Sequence, residues 1–299
     1  MIRLAEPVFR SIQGEGNRTG VLSIWVRLFG CSLRCPGFFR SDPTDRFNKV
    51  LQENLIDPTK FTSMKDIPVI PYGCDSLYAI DPRFKHLAYD YIDANQVYEQ
   101  IKPFLYNGKW AHDLTKNEID LCFTGGEPLL HQTAMINIMQ SCGIPLLDES
   151  YDDAVHTYPK VVQIETNGTQ KLTQEFIDYY LNSDVIINWN ISPKLFNVTG
   201  EENVIFPDII STYVHISPEG CLKFVINDNP RAWDELDGIV VKLKNAGCTF
   251  PVYVMPVGAS REQQTDTDTL TRIANRAIER GYHVSGRLHC VLFGNGIGT

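Results

Sequence analysis

The sequence lacks any continuous apolar run of about 18 residues, which is the length that a membrane-spanning helix needs. It also lacks a basic start followed by an apolar stretch and a cleavage site, the pattern of a secretory signal. Clusters of basic residues are absent, and 27 Lys and Arg against 36 Asp and Glu give a net charge of -9. Surfaces that bind nucleic acid or anionic membranes are usually basic. We therefore expect a cytoplasmic protein that binds neither nucleic acid nor membrane.

Internal repeats and low-complexity tracts are missing too, which excludes a solenoid or a disordered chain. With 299 residues, 43% of them hydrophobic, the chain can bury the core of one large domain. Short apolar runs, such as residues 21–29 and 120–123, alternate with longer amphipathic stretches, such as 95–104. This alternation predicts an α/β fold with a mainly parallel sheet or a partial barrel.

Three segments interrupt the alternation and are predicted to be insertions in a single domain spanning residues 1–299. They cover residues 36–73, 145–159 and 201–220, and the strand pattern resumes after each without a linker composition. In parallel sheets, ligands bind at the carboxyl ends of the strands. The motifs described next all lie at such ends.

Eight cysteines are present, and in a reducing compartment we expect them to stay unpaired. Five are predicted to be inert thiols without a chemical role: Cys122, Cys142, Cys221, Cys248 and Cys290. Cys31, Cys35 and Cys74 lie instead among Gly, Pro and polar residues. Three thiolates can hold an iron–sulfur cluster with one iron left open for a small molecule. For the Cys31 and Cys35 pair alone, structural zinc or two free thiols remain alternatives.

A second motif, residues 124–128 with the sequence T-G-G-E-P, follows the predicted strand 120–123. Adjacent glycines let the backbone approach a ligand and expose its N–H and C=O groups, which suits the amino and carboxylate groups of an amino-acid-like cofactor. A simple strand-to-helix turn is the alternative. The preceding cysteine pair favours the cofactor interpretation.

The cysteine loop followed by Gly-Gly-Glu-Pro resembles the radical S-adenosylmethionine enzymes. More narrowly, the motifs F-R-S-I-Q-G-E-G (9–16), W-V-R (25–27), E-T-N-G-T (165–169) and S-P-K (192–194), in this order, are similar to the 7-carboxy-7-deazaguanine synthases. The resemblance implies a partial (β/α) barrel of the radical S-adenosylmethionine type. It also implies a lyase that converts 6-carboxy-5,6,7,8-tetrahydropterin to 7-carboxy-7-deazaguanine and ammonia, in 7-deazapurine biosynthesis of the queuosine type. The implied cofactors are a 4Fe-4S cluster, S-adenosyl-L-methionine and Mg²⁺.

One departure concerns the third cysteine. The family pattern is C-x3-C-x2-C-D-T, but position 38 is Phe38, and Cys74-Asp75-Ser76 looks like the displaced end of the motif. Closing a loop of 38 rather than two residues costs roughly 2 to 3 kcal/mol. Structural metal sites supply on the order of 10 kcal/mol. We therefore predict Cys74 as the third cluster ligand and Ser76 as a Mg²⁺ ligand, with a turn-capping serine as the alternative for Ser76.

The resemblance further implies two sets of binding residues. The substrate set is Ile12, Gln13, Gly14, Glu15, Arg27 and Thr124, in which Arg27 can bind a carboxylate with two parallel hydrogen bonds. The S-adenosylmethionine set is Gly125, Gly126, Glu127, Glu165, Asn167, Ser192, Pro193, Lys194, Met255, Pro256 and Val257. Ordinary turn residues and a surface arginine or lysine are the alternatives. Residues 287–289 resemble the closing segment of the family, where a lone histidine is expected to be structural.

Partners follow from the resemblance alone: a pterin substrate, an electron donor such as flavodoxin or ferredoxin, and a second copy in a homodimer. Two other functions stay open at this point. A glycyl-radical-enzyme activase shares the cysteine loop and the Gly-Gly-Glu segment, but Q-G-E-G and Arg27 favour a small carboxylated heterocycle. A non-catalytic scaffold would bind zinc, or no metal, at the three cysteines.

Overall fold

The computed structural model describes residues 1–44, 56–68, 70, 72–147, 156–294, 296 and 298. Within these residues ten strands form one sheet. In chain order they are β1 (Ile2–Leu4), β2 (Phe9–Ile12), β3 (Leu22–Leu28), β4 (Tyr89–Tyr91), β5 (Asp120–Gly125), β6 (Val161–Thr166), β7 (Ile186–Ile191), β8 (Gly220–Ile226), β9 (Val252–Pro256) and β10 (His283–Val284).

The same described residues contain eight α-helices, which lie mostly between successive strands. They are α1 (Ala94–Ile101), α2 (Gln132–Ser141), α3 (Gln174–Leu181), α4 (Phe196–Thr199), α5 (Pro207–Ile216), α6 (Pro230–Asn245), α7 (Thr267–Glu279) and α8 (Leu288–Phe293). In this part of the chain, no helix has the length and apolar character needed to cross a membrane.

The strand order is β10-β9-β8-β7-β6-β5-β3-β1-β4, with β2 also paired to β3. From β3 through β5 to β10 all neighbouring pairs are parallel. The antiparallel pairs are confined to β1, β2 and β4 at one end of the sheet. The α/β class and the mainly parallel sheet predicted from the alternation are thus confirmed.

Local sequence explains why these elements form. The predicted strand 120–123 lies in β5, whose first five residues are buried, because a sheet covered on both faces selects a continuous apolar run. Helix α6 begins at Pro230, since Asn229 caps it by accepting from the Arg231 N–H and proline lacks the amide hydrogen that a first turn leaves unbonded. Its buried side, which includes Trp233, packs into the main core.

Two segments near opposite ends of the chain are in contact. The Gly16 N–H donates to Ser285 Oγ at 2.8 Å, and the Leu288 N–H donates to the Gly14 carbonyl at 2.9 Å. These contacts join the loop after β2 to the segment after β10. The predicted partial barrel is compatible with this contact, and the structure shows a largely parallel open sheet.

The predicted insertions differ in structure. In the first, Ile56, Met64 and Ile70 form a small second core with Leu77 and Phe84, whereas residues 45–55, 69 and 71 lie outside the described residues. Of the second, residues 148–155 also lie outside them. Segment 201–220 contains α5, which connects β7 to β8 and so belongs to the regular alternation of strands and helices.

Candidate active site

One cavity lies at the carboxyl ends of the parallel strands, and it is lined by residues from all parts of the chain. Of the predicted site residues, all but Gly14, Glu127 and Pro193 line it. The predicted residues in its wall are Ile12, Gln13, Glu15, Arg27, Cys31, Cys35, Cys74, Ser76, Thr124, Gly125, Gly126, Glu165, Asn167, Ser192, Lys194, Met255, Pro256 and Val257. Motifs separated by more than 200 residues therefore share one wall.

The split cysteine motif is brought together by the main chain. The Gly73 N–H donates to the Phe38 carbonyl at 2.9 Å, so the residue before Cys74 lies beside the position where the family has its third cysteine. Cys31, Cys35 and Cys74 all line the cavity. The loop between the second and third cysteine thus leaves the site and returns to it at almost the same point.

The three thiols are buried or half-buried, and burial raises the pKa of each. For Cys74 burial, reinforced by the charge of Asp75, raises the pKa to about 12. Without a bound cation these thiols therefore hold their protons at neutral pH. Metal binding requires thiolates, so it would release those protons.

The chemistry of the three cysteines is compatible with an iron–sulfur cluster, because thiolates are the ligands of such clusters and each binds its own iron. Cys31, Cys35 and Cys74 line the same cavity. Nowhere in the described residues do three His, Cys, Asp or Glu side chains form a group that could hold a single metal ion.

The Gly-Gly pair allows a close approach to the cysteine loop. A Cβ at Gly126 would lie 2.4 Å from Cys31 Cβ and from the Gly30 carbonyl oxygen, and one at Gly125 would lie 2.1 Å from the Leu28 carbonyl oxygen. Such distances are far inside van der Waals contact. Only glycine therefore lets the end of β5 pack against both β3 and the cysteine loop.

Glu127 does not face the cavity, in contrast to its predicted role in cofactor binding. It is fully buried and accepts hydrogen bonds from the Thr166 hydroxyl at 2.8 Å and from the N–H groups of Asn167 and Leu129 at 2.7 and 3.1 Å. Burial raises its pKa to about 7, although these bonds oppose the shift. The side chain fixes the Gly-Gly turn against the end of β6.

Asn167, at the end of β6, links this turn to the first cysteine. Its Nδ2 lies 3.2 Å from Ser32 Oγ and 3.8 Å from Cys31 Sγ. After the next strand, β7, Lys194 donates to Ser192 Oγ at 2.8 Å, and both residues line the cavity. Lys194 is thus a wall residue rather than an ordinary surface lysine.

A network of buried ion pairs runs along the cavity wall. Lys223 Nζ lies 2.9 Å from a Glu165 oxygen and also donates to Glu15. Arg287 bridges Glu15 at 2.8 Å and Asp75 at 2.9 Å. This network joins the Q-G-E-G loop, β6, β8 and the residue after Cys74.

The network keeps its members charged. Burial by itself would raise the pKa of Glu15, but the charges of Lys223 and Arg287 outweigh it and hold that pKa far below its usual range. Burial would lower the pKa of Lys223, and the two carboxylates instead raise it. Both side chains therefore stay ionised at neutral pH.

Gln13 and Gly14 of the Q-G-E-G motif serve mainly to shape the loop. The Gln13 amide donates to Gln163 at 2.7 Å and to Glu165 at 2.9 Å, and its oxygen accepts from the Glu15 N–H at 3.0 Å. A Cβ at Gly14 would lie 1.8 Å from His289 Nδ1. Glycine is needed there because the C-terminal segment packs directly on the loop.

Arg27 contacts two residues that do not line the cavity, Glu6 and Tyr78. Its Nε donates to the buried Glu6, and its guanidinium carbon lies 5.9 Å from the centre of the Tyr78 ring. Its Nη1 lies 3.5 Å from the hydroxyl of Thr124, its neighbour across β3 and β5. The guanidinium is thereby oriented toward the cavity.

Ser76 lines the cavity close to this wall. It stands before a short 3₁₀ turn, Leu77–Ala79, yet its side chain makes no capping hydrogen bond. Its hydroxyl lies 3.4 Å from Asp75 Oδ1. The capping alternative for Ser76 is therefore wrong, whereas its metal role stays a prediction.

Several wall residues were not among the predicted ones, notably Asp75, Lys223, Arg287 and His289. Lys223 had a usable signal, because a lysine inside the apolar strand 222–226 is rarely buried without a charged partner. The signal for Arg287 was only the resemblance of residues 287–289 to the closing segment of the family, because its partners Glu15 and Asp75 lie more than 200 residues away in sequence. The five cysteines predicted to be inert are all buried.

Comparisons with known proteins agree with the motifs. No family model matches the chain. It is 25% identical, over 303 aligned positions, to the 7-carboxy-7-deazaguanine synthase of Pyrobaculum aerophilum, covering 99% of this chain and 97% of the relative. It is 24% identical to the protein of the same name from Halobacterium salinarum, covering 96% and 88%. Five curated proteins carry this name among the matches.

Among solved structures, the crystal structure of QueE from Escherichia coli matches with a TM-score of 0.49 and 18% identity, covering 96% of this chain and 94% of that one. The sequence similarity extends over the whole chain and includes no large unmatched region of the Pyrobaculum protein. Over nearly all of its 299 residues the chain is thus similar to proteins named 7-carboxy-7-deazaguanine synthase, the family that its motifs resemble.

Proposed function

We propose that the protein is a radical S-adenosylmethionine lyase that converts 6-carboxy-5,6,7,8-tetrahydropterin to 7-carboxy-7-deazaguanine and ammonia. The main support is the convergence of Cys31, Cys35 and Cys74 on the cavity that also holds the Q-G-E-G and S-P-K motifs. The full-length similarity to proteins named for this reaction supports the same conclusion.

Cys31, Cys35 and Cys74 would hold a 4Fe-4S cluster. When bound, the cluster and S-adenosylmethionine supply the one-electron radical chemistry, and the protein supplies binding and orientation. The backbone of Gly125 and Gly126, together with Asn167, Ser192 and Lys194, would hold S-adenosylmethionine on one side, with residues 255–257 at the end of β9 on the other. Pro193 and Glu127 do not line the cavity, so they would affect S-adenosylmethionine binding only by fixing the backbone of neighbouring residues.

The pterin would bind toward the ion-pair network. Arg27, kept in place by Glu6, can bind the 6-carboxylate with two parallel hydrogen bonds. Glu15 remains an ionised acceptor for ring N–H groups. Because Gln13 is engaged within the protein, its contribution is to fix the backbone of Ile12, Gly14 and Glu15.

Mg²⁺ would bind beside Ser76, whose hydroxyl is a hard oxygen donor. Mg²⁺ usually keeps several waters and takes only one or two protein ligands, with substrate oxygens completing its shell. The carboxylate of Asp75 lies next to Ser76, but Arg287 pairs with it. This proposal predicts a metal site that forms only when the substrate is present.

The resemblance also supports a cytoplasmic homodimer reduced by flavodoxin or ferredoxin. No feature of the cavity favours the activase or the scaffold function. An activase must bind a glycine loop from a partner protein, whereas Arg27 and the Glu15 network give the cavity wall charges suited to a small carboxylated heterocycle.

The direct test is anaerobic reconstitution with iron and sulfide, followed by mass spectrometry of the reaction with pterin, S-adenosylmethionine, Mg²⁺ and a reductant. We expect about four irons per chain and a product with the mass of 7-carboxy-7-deazaguanine. A cluster-loaded protein that forms no such product would refute the assignment. A parallel reaction without Mg²⁺ tests the metal separately.

A further inference from the structure

The loop that carries the second cysteine is held by a distant carboxylate. The N–H groups of Arg34 and Cys35 both donate to Glu201 Oε1, at 2.8 and 2.6 Å. Two residues on, the Gly37 N–H donates to the Thr199 carbonyl at 2.8 Å. The end of α4 and the segment that follows it therefore accept hydrogen bonds from three backbone N–H groups around Cys35.

The two segments fit together tightly. A Cβ at Gly37 would lie 2.7 Å from the Thr199 carbonyl carbon and 2.6 Å from Pro43 Cβ. Gly200 has a φ of +72°, and a Cβ there would lie 2.3 Å from the Pro43 carbonyl oxygen. Both glycines are needed for the approach, so Glu201 has little freedom to move relative to the cysteine loop.

Cys35 adopts a backbone conformation that needs such support. Its φ is +46°, in the left-handed region that residues with a Cβ disfavour. A strained residue of this kind persists only where its surroundings fix it. Hydrogen bonds from N–H groups to a carboxylate are among the stronger ones in proteins, and Glu201 supplies two at this position.

Glu201 itself is anchored through α4. The helix begins at Phe196, and the N–H groups of Phe196 and Asn197 donate to the Glu235 carboxylate of α6 at 2.6 and 2.9 Å. The Thr199 hydroxyl donates to the Leu195 carbonyl at 2.8 Å. A continuous set of hydrogen bonds thus connects the long helix α6 to the loop of Cys35.

We propose that Glu201 is a positioning residue that holds the Cys35 loop in its ligating conformation and places a negative charge beside the cluster. This inference rests on the proposed function, because it takes Cys35 to be a cluster ligand. Nearby negative charge disfavours addition of an electron, and outer-shell groups tune both metal affinity and potential. Glu201 therefore acts on cluster retention and on the reduction potential.

The test uses the reconstituted full-length protein and the variants Glu201→Ala, Glu201→Gln and Glu202→Ala. Glu202 is the adjacent exposed carboxylate and is not the acceptor of the two N–H groups, so it controls for loss of charge in this segment. Iron and acid-labile sulfide are quantified, cluster loss to a chelator is timed, and the midpoint potential is measured by EPR-monitored redox titration.

We expect Glu201→Ala to lose its cluster about tenfold faster than the parent or more, because two hydrogen bonds to a charged acceptor disappear. Glu201→Gln keeps one acceptor oxygen and removes the charge. It should retain the cluster longer than Glu201→Ala and should show a higher midpoint potential than the parent. Glu202→Ala should match the parent in chelation rate.

Unchanged chelation kinetics in Glu201→Ala, or an unchanged potential in Glu201→Gln, would overturn the inference. If Glu201→Ala does not fold, as judged by circular dichroism of the metal-free protein, the potential of Glu201→Gln decides alone. A parent protein that assembles no four-iron cluster would refute the proposed function instead, which keeps the two failures distinct.

Discussion

The Gly73 N–H donates a 2.9 Å hydrogen bond to the Phe38 carbonyl, so the two ends of the inserted segment 38–73 lie side by side at the cysteine site. This hydrogen bond places the residue before Cys74 beside the segment that follows Cys35. It supports the prediction that the third ligand of the contiguous motif is displaced to Cys74 rather than lost.

Replacing the third thiol should remove the cluster. We expect Cys74→Ala to bind far less iron and sulfide than the parent and to be inactive, because two thiolates do not secure a four-iron cluster. The control is Cys142→Ala, which removes a buried thiol that does not line the cavity. Iron quantification and the visible absorbance of the anaerobic proteins measure both. Equal iron in Cys74→Ala and the parent would contradict the split motif.

Deleting the inserted segment 38–73 should leave the cluster site in place. Deletion of residues 38–73 joins Gly37 directly to Cys74 and recreates the contiguous C-x2-C spacing. We expect near-parent iron content, since the ends already lie together, but a lower melting temperature, because the core of Ile56, Met64 and Ile70 is lost. Iron analysis and calorimetry separate the two effects. A deletion variant that folds but binds no iron would show that the inserted segment is needed to form the cluster site.

The buried lysine of the network should be essential for stability. Lys223→Met leaves Glu165 without its cation and Glu15 with Arg287 alone, and breaking a buried pair typically costs about 3 to 5 kcal/mol. Lys160→Met removes an exposed pair with Asp184, where the expected loss is only about 0 to 1 kcal/mol. Urea unfolding of both variants at pH 7 measures the difference. Similar losses in the two variants would mean that the network contributes little.

Glu127 should make the metal-free protein less stable as the pH rises. Its pKa is raised from about 4.5 to about 7 on folding, so its stabilising effect is full below pH 4.5 and is lost as the pH rises through about 7. The loss from this group is about 3 kcal/mol. In Glu127→Gln this dependence should disappear, whereas Glu279→Gln, an exposed position, should keep it.

Urea unfolding at pH 5 and pH 8 measures the effect of Glu127 as the difference between variant and parent at each pH. Other groups titrate equally in both proteins and cancel. If the difference between Glu127→Gln and the parent is the same at both values, the carboxyl group titrates normally and its raised pKa is refuted.

Arg27 should determine affinity for the pterin carboxylate. Arg27→Lys keeps the charge but loses the two parallel hydrogen bonds, so KM for the pterin should rise about 10- to 100-fold with a smaller change in kcat. Arg18→Lys is the control, because Arg18 makes a similar paired contact with Asp120 outside the cavity. Steady-state kinetics over a range of pterin concentrations tests this, and an unchanged KM in Arg27→Lys would exclude the carboxylate contact.

The sequence predicts the strands and the ligand loops well because both depend on local patterns. The apolar run 120–123 is confirmed as part of β5, because burial selects it. The Gly-Gly pair after it packs closely on β3 and the cysteine loop, and its role in cofactor binding stays a prediction. Cys74 could be assigned because the residues after it still resemble the end of the motif. Its role as a cluster ligand stays a prediction, whereas its position in the cavity wall is observed.

The remaining features depend on contacts between distant segments. Glu127 follows the two glycines in sequence, where a ligand-binding side chain is expected. Its side chain points into the core instead, because it accepts hydrogen bonds from Thr166 and Asn167. Likewise, no local pattern predicts the contacts of Arg287 and Glu201, because their partners lie in other parts of the chain. Such positions are accessible only from the folded structure.

The bridge between the Q-G-E-G loop and the C-terminal segment has a consequence for assembly. The Arg287 and Glu15 side chains that meet there are 272 residues apart in sequence. Contacts of such separation form late, because the loss of chain entropy on closing so large a loop must be met first. The Cys35 loop therefore needs the chain as far as Glu201, whereas the Glu15 side waits for nearly all of it to be synthesised and folded.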